Sequence, residues 1–276
     1  MRYYSTRDTG RTSLFSLKEA SFMGLAPDGG LFMPEYIPHV DLEQVLRSAS
    51  SSYADMAAYL ASLFFGEEFP PDVLRSLVGC AYNFPCPLRK LDADLWVLEL
   101  FHGPTCAFKD FGARFMGTML GQLREGDEQL TVLTATSGDT GSAVAAGFHG
   151  VPGIKVVVLY PKGKVSDLQE SQMTTLGGNV CAVRVDGTFD DCQALVKQLF
   201  NDRNFRATHS VTSANSINVA RFLPQSFYYF WAYAQMKKAG LGDELVICTP
   251  SGNFGNICAG LFAKKMGLPV KRFIAA

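Results

Sequence analysis

Lys109 stands in the run Phe108-Lys109-Asp110-Phe111-Gly112, with Cys106 and Ala107 just before it. Apolar neighbours keep water from an amine, lower its pKa and leave it nucleophilic near neutral pH. Such an amine suits covalent capture of a carbonyl. A surface lysine with a snorkelling stem could have the same neighbours, so the residue alone does not decide between the two.

Three further segments carry groups that could hold anions. Pro250-Ser251-Gly252-Asn253-Phe254-Gly255-Asn256 lies between an apolar stretch and a helical one. Glycines there let backbone N–H groups crowd round a phosphate, and a helix N-terminus adds a favourable field. The spacing is neither a P-loop nor a G-x-G-x-x-G dinucleotide turn. Thr136-Ser137-Gly138-Asp139-Thr140-Gly141 offers hydroxyls and amides to a carboxylate or phosphate. Each is also compatible with a plain strand-to-helix turn, Asp139 serving as a cap. In Asn215-Ser216-Ile217-Asn218-Val219-Ala220-Arg221, Arg221 could grip a phosphate in bidentate fashion or lie on the surface of a capped helix. The histidines, His39, His102, His149 and His209, lack metal-ligand spacing and are read as structural.

The elements that must position these groups follow from local pattern. Residues up to about 90 are expected to be mainly helical, with a capping box at Ser16 to Glu19, a cap at Asp41 and a Pro-rich break at Phe84-Pro85-Cys86-Pro87. Beyond it, strands are expected at Trp96 to Leu100, Thr131 to Ala135, Lys155 to Tyr160, Asn179 to Val185 and Leu245 to Thr249. Phe111, Phe115 and Met119 recur at helical spacing, so Lys109 precedes a helix. Further helices are expected at Ser142 to Gly147 (small residues, close approach), Ser166 to Leu176 (another capping box, Ser166 to Gln169), Phe189 to Phe200 and Ile257 to Met266. Ile217 to Ala239 reads as one long helix bent near Pro224. Alternating strands and helices call for an α/β fold, a parallel sheet with helices on both faces.

Lys and Arg number 25 against 26 Asp and Glu, giving a net charge of -1, so neither nucleic acid nor a membrane surface is an expected partner. The 7 cysteines never form a C-x-x-C pair and read as free thiols in a reducing compartment. The start of the chain lacks an apolar signal segment, so a cytoplasmic location is expected.

In their order, the motifs resemble the threonine synthases, pyridoxal-phosphate enzymes of the tryptophan-synthase β fold (fold type II). The resemblance rests on Gly29-Gly30-Leu31-Phe32-Met33-Pro34, Leu100-Phe101-His102-Gly103-Pro104-Thr105, Ala107 to Gly112 and Thr134 to Gly141. Tyr160-Pro161-Lys162-Gly163-Lys164, Ser213 to Asn218 and Pro250 to Gly255 add to it. The amino-terminal motif separates this family from cysteine synthase and threonine dehydratase. The resemblance implies an amino-terminal domain over 1–90 and a catalytic domain over 91–276.

It also implies roles. Lys109 would be the Schiff-base lysine of pyridoxal 5'-phosphate. Gly252, Asn253, Phe254, Gly255 and Asn256 would hold the cofactor phosphate, with Asp139 also against the cofactor. Ser137 and Thr140 would contact the substrate carboxylate, and Asn215, Ser216 and Arg221 the substrate phosphate. The implied reaction converts O-phospho-L-homoserine and water to L-threonine and phosphate, in a monomer or homodimer. A related phospho-lyase, or a non-catalytic chain retaining the fold, would share most of these residues. The apolar ending, Lys271-Arg272-Phe273-Ile274-Ala275-Ala276, leads to the expectation of a fragment, incomplete at its carboxyl end and without the hydroxyl residue that faces the pyridine nitrogen.

Overall fold

The computed structural model describes residues 1–242 and 244–276. The amino-terminal part comprises β1 (Tyr3–Ser5), α1 (Leu17–Met23), β2 (Phe32–Pro34), α2 (Leu42–Ser51), α3 (Tyr53–Phe65) and α4 (Pro71–Ala81). Local chemistry starts these helices. The Ser16 hydroxyl accepts from the Glu19 N–H while the Glu19 carboxylate accepts from the Ser16 N–H, so two orphan donors of α1 are satisfied. Asp41 accepts from the N–H groups of Glu43 and Gln44 at the start of α2. β1 and β2 pair antiparallel, a pairing that periodicity does not reveal in strands of three residues.

Past the Pro-rich break, β3 (Leu88–Lys90) and β4 (Trp96–Leu98) form an antiparallel pair. There follow α5 (Lys109–Leu123), β5 (Leu130–Ala135), α6 (Asp139–Phe148), β6 (Ile154–Pro161), α7 (Asp167–Thr174), β7 (Val180–Val185), α8 (Phe189–Asn201), α9 (Arg203–Thr208) and β8 (Ser210–Ser213). The chain continues through α10 (Val219–Phe222), a 3-10 turn (Leu223–Ser226), α11 (Phe227–Lys238), β9 (Leu245–Thr249), α12 (Gly255–Lys265) and β10 (Val270–Ala275).

Four strands form a parallel sheet in the order β7-β6-β5-β8, and β9 and β10 form a second parallel pair. Alternate residues of β5 and β6 serve opposite faces. Leu130, Val132, Val156 and Val158 join the main core with Phe115, Met119 and Val144. Leu133 and Leu159 pack with Cys192 and Val196 of α8 in a second cluster. Period-2 alternation thus places helices on both faces of the sheet.

α5 and α6 approach closely because both present glycine. A Cβ on Gly117 would run into the Gly147 carbonyl oxygen, and one on Gly147 would lie 2.8 Å from the Ala113 carbonyl carbon. This is the close approach expected of the small-residue segment.

One expectation is corrected. Ile217 to Ala239 is not a single bent helix but α10, the 3-10 turn and α11 in succession. Pro224 lacks an N–H and its ring obstructs the carbonyl four residues before it, so the regular ladder stops and restarts. β8, with the polar sequence Ser-Val-Thr-Ser, went unread because it has no apolar pattern; its pairing with β5 makes it a strand.

Candidate active site

Loops leaving the carboxyl ends of β5, β8 and β9 carry the anion-binding candidates, as in open parallel sheets generally. The loop after β5 is organised by Thr136. Its buried hydroxyl accepts from the N–H groups of Gly138 at 3.0 Å and Gly141 at 2.9 Å, and donates to the Gly138 carbonyl at 2.7 Å. This leaves Ser137 exposed at the loop's outer side, and places Asp139 and Thr140 in the first turn of α6.

Lys109 opens α5 and is half-buried. Its Nζ lies 3.7 Å from Asp139 Oδ2 and 5.8 Å from the centroid of the Phe108 ring. Burial lowers its pKa; Asp139 opposes this, and the Arg221 guanidinium reinforces it. The structure therefore brings Lys109 and Asp139 together, 30 residues apart in sequence, as an amine facing a carboxylate.

Arg221 is placed differently from either sequence expectation. It is neither on a surface nor open for bidentate contact, being 2 % exposed. One guanidinium nitrogen, Nη1, donates to the Ala214 carbonyl, and Nε has no partner among the described residues. Burial pushes its pKa down to about 10, with Asp110 opposing, so it remains a cation at neutral pH. The four-residue α10, followed by the 3-10 turn and then α11, does not reveal this burial from its own sequence.

The loop after β9 is exposed from Gly252 to Phe254. Among the described residues, no acceptor is found for the N–H groups of Gly252, Asn253 and Phe254. α12 begins at Gly255, so the N–H groups of its first turn also lack helical partners. This donor set fits a phosphate. A Cβ on Gly255 would lie 3.1 Å from Ser216 Cβ, so the loops after β8 and β9 are in contact. Asn215 is reached by the Thr134 hydroxyl, Oγ1 to Oδ1 3.4 Å. The Asn256 side chain points away from the loop: its Oδ1 is within hydrogen-bond reach of the Tyr228 hydroxyl at 2.9 Å and of the Tyr229 hydroxyl. Only its backbone belongs with the phosphate donors.

Two side chains beside these residues belong to the site without having been expected there: Asp110, and Gln169, which the sequence marks only as a helix cap. Asp110 is buried and bound twice by Thr105. Gln169 donates to Asp139. Among the described residues, no group of His, Cys, Asp and Glu could hold a metal ion, and no helix is long and apolar enough to cross a membrane.

Residues 82–276 match the family model described as pyridoxal-phosphate dependent enzyme, and residues 2–82 match that of the threonine synthase N terminus. The chain is 48 % identical to the threonine synthase of Escherichia coli strain K12 over 100 % of its own length and 64 % of that relative's. It is 42 % identical to the threonine synthase of Saccharomyces cerevisiae, over 99 % of the chain and 57 % of the relative. Its structure superposes on crystalline threonine synthase from Escherichia coli with a TM-score of 0.90 at 47 % identity, covering 100 % of this chain and 64 % of the other. A threonine synthase from Brucella melitensis with pyridoxal phosphate bound gives 0.91 at 41 %, covering 100 % and 60 %. The chain thus spans a little under two thirds of these relatives. Diaminopropionate ammonia lyase, at 18 % identity and a TM-score of 0.54, shares the fold.

Proposed function

The chain belongs to the family of pyridoxal-phosphate dependent enzymes, and from that premise we propose that it performs the threonine synthase reaction, O-phospho-L-homoserine and water to L-threonine and phosphate. The observation that carries the reading is the half-buried Lys109 amine held opposite Asp139 at the opening of α5. We read residues 1–90 as the amino-terminal threonine-synthase part and 91–276 as the catalytic part, working in the cytoplasm as a monomer or homodimer.

Pyridoxal 5'-phosphate, when bound, supplies an electron sink for charge that develops on the amino-acid substrate. Lys109 would anchor it, and the open N–H groups of Gly252, Asn253 and Phe254, with those of Gly255 and Asn256, would hold its phosphate. Burial disfavours the charged form of Lys109, so its amine is freed more readily than an ordinary lysine's. Such a base can take and return protons at the substrate's Cα and Cβ. Asp139 stabilises the ammonium between transfers.

Ser137, Thr140 and the N–H groups opening α6 are assigned to the substrate carboxylate. Asn215 and Ser216 are assigned to its phosphate, the group that leaves from Cγ. Arg221, sealed beneath them, contributes positive potential rather than a direct grip.

The test is product analysis on purified protein loaded with pyridoxal 5'-phosphate and given O-phospho-L-homoserine. Equal amounts of L-threonine and phosphate are expected. Phosphate with a 2-oxo acid in place of threonine would assign a phospho-lyase instead, and no phosphate release would overturn the proposal.

A further inference from the structure

Gln169 occupies the third position of α7, and both halves of its capping box are made. Its N–H donates to Ser166 Oγ at 3.3 Å, and its Oε1 accepts from the Ser166 N–H at 3.1 Å. The second bond fixes which way the amide faces. With Oε1 engaged by an N–H donor, Nε2 is the free end, and it donates to Asp139 Oδ1 at 2.8 Å. The other oxygen of the same carboxylate, Oδ2, is the one 3.7 Å from Lys109 Nζ. Gln169 also covers Gly138, where a Cβ would come within 2.8 Å of Nε2.

A capping box is completed by glutamate as well as by glutamine. Glutamate here would set a second carboxylate against Asp139 and offer it no proton. Glutamine meets both demands, an acceptor for the cap and a donor for Asp139. We propose that Gln169 is a positioning residue whose amide keeps the Asp139 carboxylate turned toward Lys109, so that the amine faces a fixed anion. This deepens the function proposed above and rests on Lys109 being the reacting lysine.

The influences on Lys109 are burial, which lowers its pKa most, Asp139 on α6, which raises it, and Arg221 on α10, which lowers it. An Asp139 no longer held would raise it less, and the amine would lose its proton at lower pH.

The experiment labels cofactor-free protein with acetic anhydride across a pH series and reads acetylation of the Lys109 peptide by mass spectrometry. Gln169→Ala is expected to move the labelling midpoint down by about 0.5 pH, making Lys109 about threefold more reactive near neutral pH. Asp139→Ala should shift it in the same direction at least as far. In the double variant the Gln169→Ala effect should vanish, because its carrier is gone. Ser166→Ala removes the hydroxyl half of the cap but leaves the backbone N–H that orients the amide, and should keep the wild-type midpoint.

An unchanged midpoint in Gln169→Ala would overturn the proposal. So would a Gln169→Ala shift that persists in the Asp139→Ala background, or an equal shift in Ser166→Ala. The readout needs neither cofactor nor turnover, so failure of the proposed reaction leaves it interpretable.

Discussion

Thr105 is bound to Asp110 at two points: its N–H donates to Oδ2 at 2.9 Å and its hydroxyl to Oδ1 at 2.6 Å, both buried. The pair ties the Gly103–Thr105 turn to the first turn of α5, one residue beyond Lys109. A Cβ on Gly103 would collide with the Asp110 carboxylate, so the turn seats only with glycine there. Between turn and helix, Cys106 adopts a φ of +57°, a left-handed backbone that few non-glycine residues take. Burial raises the Asp110 pKa, while the Thr105 donors and Arg114 oppose it.

Asp110→Asn keeps the shape but replaces one of the two acceptor oxygens with a donor. The amide oxygen can keep the Thr105 N–H only if the hydroxyl turns to accept from the new NH2, and both bonds lose their charge-assisted strength. The expected loss of stability is about 1–3 kcal/mol, seen in denaturant unfolding. The Thr105→Val variant removes the hydroxyl and leaves Oδ1 of the buried carboxylate without that donor, so it is expected to lose about 1–3 kcal/mol as well.

Gly112→Ala should destabilise the protein even though alanine is the better helix former. A Cβ there would lie 2.5 Å from the Arg221 carbonyl oxygen and 3.1 Å from Arg221 Cγ. Both neighbours are packed in place, so overpacking of about 1–3 kcal/mol outweighs the helix preference of about 1 kcal/mol. A melting temperature equal to or above wild type would contradict this packing.

Asn256 provides the acceptor for two buried phenols, and Gln225 connects one of them to Arg221. Tyr228 reaches Gln225 Oε1 at 3.2 Å, while Gln225 Nε2 donates to the Arg221 carbonyl at 3.1 Å. Asn256→Ala removes the acceptor that both phenols share, leaving Tyr228 with Gln225 Oε1 and Tyr229 with the residue-256 carbonyl at 3.1 Å, and is expected to remove about 1–3 kcal/mol of stability. Tyr229→Phe loses only its own bond and should remove about 1 kcal/mol, measured by the same unfolding curves.

Local chemistry made much of the scaffold legible. The capping boxes at Ser16 and Ser166 announce α1 and α7 because their partners lie three residues away. Phe111, Phe115 and Met119 announce α5, and the apolar runs at β5 and β6 announce a buried parallel sheet. Long-range geometry was not legible. β8 exists through its pairing with β5, α10 and α11 are divided by Pro224, and Arg221 is sealed by residues that its own segment does not reveal. Of the candidate site, Lys109 and the glycine loops are the parts that the sequence alone singles out. The Gln169 side chain could be read as a cap, but its bond to Asp139 spans 30 residues and needed the fold.

The lowered pKa of Lys109 has a consequence for stability. Its folded pKa lies below the unfolded one, so the charged amine opposes folding below the folded pKa. That opposition fades as pH rises through the folded pKa and is gone above the unfolded one. Lys109→Met is therefore expected to melt a few degrees higher than wild type at neutral pH, the difference shrinking in alkaline solution. A melting temperature below wild type at neutral pH would count against a desolvated amine.

The most direct measurement is to load the protein with pyridoxal 5'-phosphate, reduce it with borohydride and locate the pyridoxyl group by peptide mass spectrometry. Stoichiometric label on Lys109 is expected, abolished in Lys109→Ala. Label confined to other lysines, or none at all, would contradict it.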